Sequence, residues 1–186
     1  TDIFLRVAID VETANTYDRI DEASSASEYI ESAIRQLNKL PDLSDFRRGL
    51  YMLRFSFFFR KAGDLERSML LAQVAEYIMK SGNWPDKIRY LESRQSIANT
   101  YYESQQYDNA ANIYAEIIET AKEKLGSKNR LVLDNYLNLT QALIYTGRYN
   151  EAIDRASEWF QLINQAQAFQ EDLPYAYNNL AEGYEN

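Results

Sequence analysis

Between residues 55 and 59 the chain reads Phe55-Ser56-x-x-Phe59, and the same large-small-x-x-large order returns as Ile97-Ala98-x-x-Tyr101 and Leu139-Thr140-x-x-Leu143. Positions i, i+1 and i+4 fall on one stripe of an α-helix, so each copy predicts a helix whose apolar stripe carries one small residue where a neighbouring backbone must come close. A turn follows each copy, as Ala62-Gly63-Asp64-Leu65, Gln105-Gln106-Tyr107 and Thr146-Gly147-Arg148-Tyr149. Gly63 and Gly147 accept positive φ without strain and so end the first helix, and Asp64 suits the N-cap of a second. The second helix reads Asp108-Asn109-Ala110-Ala111-Asn112-Ile113-Tyr114 and Asn150-Glu151-Ala152-Ile153-Asp154-Arg155-Ala156, and its alanine is expected to face the first.

The interval between copies is 42 residues. It aligns the small residues Ala14, Ser56, Ala98 and Thr140, and again Ala26, Ser68, Ala110 and Ala152. Two independent positions in step four times mark one helix-turn-helix unit repeated along a solenoid, which grows by addition and needs no single large core. We expect one domain over 1–186, with repeats near 2–40, 44–82, 86–126 and 128–168 and a partial fifth over 173–186. The first copy, Thr13-Ala14-x-x-Tyr17 with Ala23 and Ala26, is the faintest. Pro41, Pro85 and Pro174 fall between repeats, and Gly82 and Gly126 fall where second helices should end. Trp84 is expected to plug an edge of the array, and Trp159 to fill space against the following repeat.

The order Gly147-Arg148-Tyr149-x-x-Ala152 after a small-x-x-large helix resembles the tetratricopeptide repeat, in the longer variety of kinesin light chain and many bacterial regulatory proteins. Asn138-Leu139-Thr140 and Asn178-Asn179-Leu180-Ala181 resemble the opening of that variety, and Glu123-Lys124-Leu125-Gly126 resembles its connector, although the usual His-Pro after the glycine is missing. The resemblance implies an all-α, right-handed α-α superhelix of about four helix-turn-helix repeats plus a partial fifth, its first helices lining a concave groove that takes a protein or peptide. Carried onto this sequence, the groove positions are Asn15, then Leu53, Phe57, Arg60 and Lys61, then Gln95, Asn99 and Tyr102, then Asp134, Gln141 and Tyr145, and last Asn178. Asn99 and Gln141 suit the backbone amides of an extended peptide, and Phe57, Tyr102 and Tyr145 offer apolar contact. Tyr101, Tyr107, Tyr114, Tyr149 and Tyr184 occupy repeat-defining positions and are expected to pack, leaving Tyr102, Tyr145 and Tyr175 for recognition. The carboxylate clamp of chaperone-binding members is not assembled, because its two positions hold Leu50, Glu92 and Asp134, and Arg54, Ser96 and Asn138.

Composition fits a helical scaffold and excludes much chemistry. Hydrophobic residues make up 46% of the chain, with 6 Gly and 3 Pro; few turn or strand signals remain. With no Cys and no His, thiol catalysis, disulfides, Ser-His-Asp triads and the usual zinc sites are excluded. The 28 acidic residues include no pair placed for acid-base work, and no glycine-rich phosphate loop is present. Neither catalysis nor a cofactor is expected. A net charge of −8 argues against nucleic acid, no apolar run is long enough to insert in a membrane, and the compartment is left open. Residues 43–67 run against the average, with Arg47, Arg48, Arg54, Arg60, Lys61 and Arg67 facing only Asp45, Asp64 and Glu66. Two readings stand: these cations pair with acids on adjacent helices, or Arg60 and Lys61 dock a carboxylate.

The chain opens at Thr1 and stops at Gly183-Tyr184-Glu185-Asn186, inside an expected first helix, so it reads as a fragment of a longer protein. The leading expectation is a scaffold that binds a protein or peptide. The alternatives are a small-ligand sensory domain of a bacterial regulator, and a homodimer formed where the unfinished helix exposes Tyr177, Leu180 and Tyr184.

Overall fold

All eight small residues picked out by the 42-residue interval are buried. The structure, a computed structural model, describes residues 3–20, 22–40, 44–81, 88–166, 174, 178–179 and 181. Among these the elements are all α-helices, and they come in pairs: α1 (Ile3–Arg19) with α2 (Ala23–Leu37), α3 (Asp45–Lys61) with α4 (Leu65–Ser81), α5 (Ile88–Glu103) with α6 (Tyr107–Leu125), and α7 (Arg130–Tyr145) with α8 (Tyr149–Ala166). The second helices start at 23, 65, 107 and 149, in strict 42-residue step. Pro41, Gly82, Trp84, Pro85, Tyr175, Tyr177, Leu180 and Tyr184 lie outside the described residues.

Each pair closes through one turn. The carbonyls of Phe59, Tyr101 and Leu143 accept from the backbone N–H groups of Asp64, Gln106 and Arg148, each at 2.9 Å. A second bond runs from Gly63, Gln105 and Gly147 to the residue three before it, which completes a Schellman closure of the first helix. The faint first copy closes the same way, with Glu22 N–H on the Tyr17 carbonyl at 2.9 Å. The turn depends on backbone geometry, which is why it survives where the signature residues fade.

The closure requires one residue at positive φ. Gly63 (φ 80°) and Gly147 (φ 74°) supply it, and in the third copy the same register falls on Gln105 (φ 60°). A side chain there costs about 1 kcal/mol or more. Gln105→Gly is therefore expected to raise stability by about 0.5–1 kcal/mol, read as a higher urea midpoint with an unchanged slope. Asp64 caps α4 as expected: its Oδ1 accepts from the Arg67 N–H at 3.0 Å, and that backbone bond holds its carboxyl below the ordinary range.

The chain divides into two compact units, Thr1–Ser96 and Ile97–Asn186. In the first, Val7, Val11 and Ala14 of α1 meet Ile30, Ala33 and Leu37 of α2, and Phe55, Phe58 and Phe59 of α3 join the same cluster. Gly49 lets α3 approach α4, since a Cβ there would lie 2.5 Å from Met79 Cε and 3.1 Å from Ile78 Cγ2. Ser56, one of the repeated small residues, shares a buried 2.7 Å hydrogen bond with Ser96. In the second unit Ile117 of α6, Leu133, Tyr136 and Leu143 of α7, and Ala156, Trp159 and Ile163 of α8 are fully buried. The Tyr136 hydroxyl donates to Glu158 Oε2 at 2.7 Å. Burial, then this bond, pushes the phenol well above its ordinary value. Burial alone would raise the Glu158 carboxyl, but the Tyr136 bond with the charges of Arg155 and Lys122 holds it below normal.

Candidate binding surface

The groove positions inherited from the resemblance are half-buried or exposed in the described structure, while the small residue that precedes each of several is closed off. On α5, Ala98 is fully buried and Asn99 half-buried; on α7, Thr140 is fully buried and Gln141 half-buried. Helical geometry makes this division, because successive residues turn by about 100°.

In the first unit Asn15, Leu53, Arg60 and Gln95 are half-buried, and Phe57 and Lys61 are exposed. The Arg60 and Lys61 cations lie 5.6 and 5.7 Å from the centre of the Phe57 ring, within reach of its negative face. Lys61 Nζ also sits 2.5 Å from Asp18 Oδ1, so a ligand carboxylate would have to displace or share that acid. Pairing extends through the basic segment. Arg54 faces Glu12 at 3.9 Å, and Arg67 bonds Asp64 at 2.5 Å and also Glu31. Arg48 donates to the Leu40 carbonyl. Of the two readings of this segment, pairing with acids on adjacent helices accounts for Lys61, Arg54 and Arg67. A cavity of about 380 Å³ opens on α3, lined by Arg47, Leu50, Tyr51 and Arg54.

In the second unit the Tyr114 hydroxyl donates to Asn99 Oδ1 at 2.7 Å. That bond fixes the orientation of the carboxamide through its oxygen. Tyr102 and Tyr145 do not stand alone. Tyr107 stacks on Tyr145 (4.8 Å, 19°), and Tyr102 meets both edge-on at 5.2 and 5.9 Å. Tyr107, expected only to pack the repeat, thus packs against both tyrosines expected to be left for recognition, and Tyr145 remains 60% exposed at the edge of the cluster. Sequence spacing carries the signal: Tyr102 stands one residue before the end of α5, Tyr145 ends α7 in the next repeat, and Tyr107 opens α6, the second helix of the earlier one. Beside them lies a cavity of about 390 Å³ lined in part by Gln105, Tyr107, Asp108, Tyr145 and Thr146. Asp134 pairs with Arg130 at 2.6 Å. Asn178 is exposed beyond α8. Among the repeat tyrosines Tyr114 is fully buried, whereas Tyr101, Tyr107 and Tyr149 are half-buried. Tyr175 lies outside the described residues, and among those described no helix is long and apolar enough to cross a membrane.

Comparison with known proteins places this geometry. Residues 89–158 match the tetratricopeptide repeat family model. No curated protein matches the chain in sequence. Among solved structures, a Podosopora anserina kinesin light chain with nearly identical TPR-like repeats superposes with a TM-score of 0.79 at 18% identity, over 97% of this chain and 86% of that one. RapI in its apo form superposes at 0.82 with 14% identity, over 96% of this chain and 63% of that one. The Rap conjugation gene regulator of the plasmid pLS20, solved with the Phr* peptide, superposes at 0.72 with 14% identity, over 99% of this chain and 54% of that one. Identities this low establish a shared fold.

Proposed function

We propose that this all-α helical repeat chain, whose residues 89–158 match the tetratricopeptide repeat model, is a regulatory scaffold that binds an extended protein segment or peptide along the exposed side of its first helices, without catalysis of its own. The observation that carries this reading is the Asn99 carboxamide, half-buried on α5 and locked by the Tyr114 hydroxyl. An amide fixed before binding loses little side-chain freedom when it meets a peptide backbone. Gln141 stands one repeat further on, in the same register. The tyrosine cluster beside them supplies apolar area with few rotatable bonds, and Phe57 with its two cations does the same for the first unit. The pLS20 regulator, solved with a peptide, supports the choice of a peptide over other ligands.

Selection from a random-peptide display library on the immobilised chain tests this. We expect enriched sequences, and an affinity loss of about tenfold in Asn99→Ala and again in Tyr145→Ala, with unchanged far-UV circular dichroism. No enrichment, or enriched peptides that bind both variants as tightly as the parent, would refute it.

A further inference from the structure

Helix α4 carries an uncovered apolar stripe. Leu70 is 60% exposed, Val74 38% and Tyr77 75%, and their spacing of four and three residues puts them on one face. The repeat itself supplies the control. Where α4 has Leu70, the other copies have Glu28, Asn112 and Asp154; where it has Val74 they have Ser32, Glu116 and Glu158; where it has Tyr77 they have Arg35, Glu119 and Gln161. Packing of the repeat therefore asks for polar residues at all three registers, and this one copy departs from it three times on a single face. Exposed apolar residues clustered in this way mark an interaction site.

Next to the ridge is a hole. A cavity of about 270 Å³ is lined by Ile34 of α2, Phe59 of α3, and Leu70 and Leu71 of α4, together with charged side chains that already satisfy one another, since Glu31 takes both Arg67 and Arg35. One turn before Leu70 stands Glu66, and one turn after Tyr77 stands Lys80, both exposed and neither with an ion-pair partner among the described residues. One face thus carries a protruding tyrosine, an apolar hole seven residues away, and an opposite unpaired charge at each end.

We propose that this face is a self-association surface, occupied by α4 of a second copy running antiparallel about a two-fold axis near Val74. That symmetry pairs the knob of each copy with the hole of the other, and every contact is made twice. Tyr77 of the second copy enters the cavity beside Leu70, and Lys80 of the second copy comes to Glu66. A helix from an unrelated partner would match the ridge, but it gives no reason for knob, hole and opposite end charges to share one helix.

Sedimentation of the chain from micromolar to millimolar concentration should show a reversible monomer–dimer equilibrium. Val74→Glu and Tyr77→Ala should each weaken it by about 30-fold or more, as should Leu70→Asn, which installs the residue of the third copy and so keeps the fold. Because the chain has no cysteine, Val74→Cys should oxidise to a covalent dimer, whereas Asn112→Cys, at the register of Leu70 on α6, should not. A chain that stays monomeric to millimolar concentration, a dimer indifferent to all three substitutions, or equal cross-linking of the two cysteine variants would overturn the proposal.

Discussion

Trp159→Ala is expected to destabilise the protein by about 3–5 kcal/mol, the cost of emptying the largest fully buried side chain among the described residues. The same register holds Ala33, Ala75 and Ile117 in the earlier copies, so the space that Trp159 fills in α8 belongs to the last described pair alone. The indole Nε1 is buried with no hydrogen-bond partner among the described residues, and leaving such a donor unpaired costs about 1–3 kcal/mol. Trp159→Phe removes that orphan along with part of the ring, so its loss should be small, about 1 kcal/mol. Urea unfolding of the two variants separates the terms. A small loss for Trp159→Ala would mean that the residue packs nothing.

The second large effect lies where α3 and α4 touch. Gly49→Leu drives a side chain into Met79 and Ile78, and overpacking of this kind costs about 1–3 kcal/mol, against which better helix propensity returns about 0.8 kcal/mol. The repeat shows how to relieve it. Gly49 and Met79 share their registers with Leu91 and Ala121, where the large and small partners are exchanged. Met79→Ala alone should cost about 2–5 kcal/mol through the cavity it leaves, yet in the Gly49→Leu background it should restore stability toward the parent. A double-mutant cycle reads this as a coupling of about 2 kcal/mol or more; additive losses would show that the two residues do not share one space.

Much of the fold was legible because repetition tests itself. A small residue at one position says little, but Ala14, Ser56, Ala98 and Thr140 in register say that a backbone approaches at each, and all four are buried. The turn was legible too, but the strain on Gln105 was not, because only the structure shows that its register, that of Gly63 and Gly147, keeps the positive φ without the glycine. What escaped depends on residues brought together by stacking. Tyr102, Tyr107 and Tyr145 form one aromatic cluster only once consecutive repeats lie side by side. Lys61 finds Asp18 across 43 residues of chain, and Asn99 owes its orientation to Tyr114 on the next helix. Such pairs carry no local pattern. The apolar stripe of α4 was legible only by contrast, since one copy has to be set against three before Leu70, Val74 and Tyr77 look out of place.

Ala98 and Thr140 are sealed into the repeat while Asn99 and Gln141 beside them stay half-buried, and the proposed function assigns that second side to a peptide. Titrating a library-selected peptide into labelled protein and following the side-chain amide resonances of Asn99 and Gln141 tests it directly. Saturable shifts at both, with one shared dissociation constant and no change at the buried Asn135, are the predicted result. Shifts confined to residues on the outer faces of α6 and α8, with Asn99 and Gln141 unmoved, would contradict it.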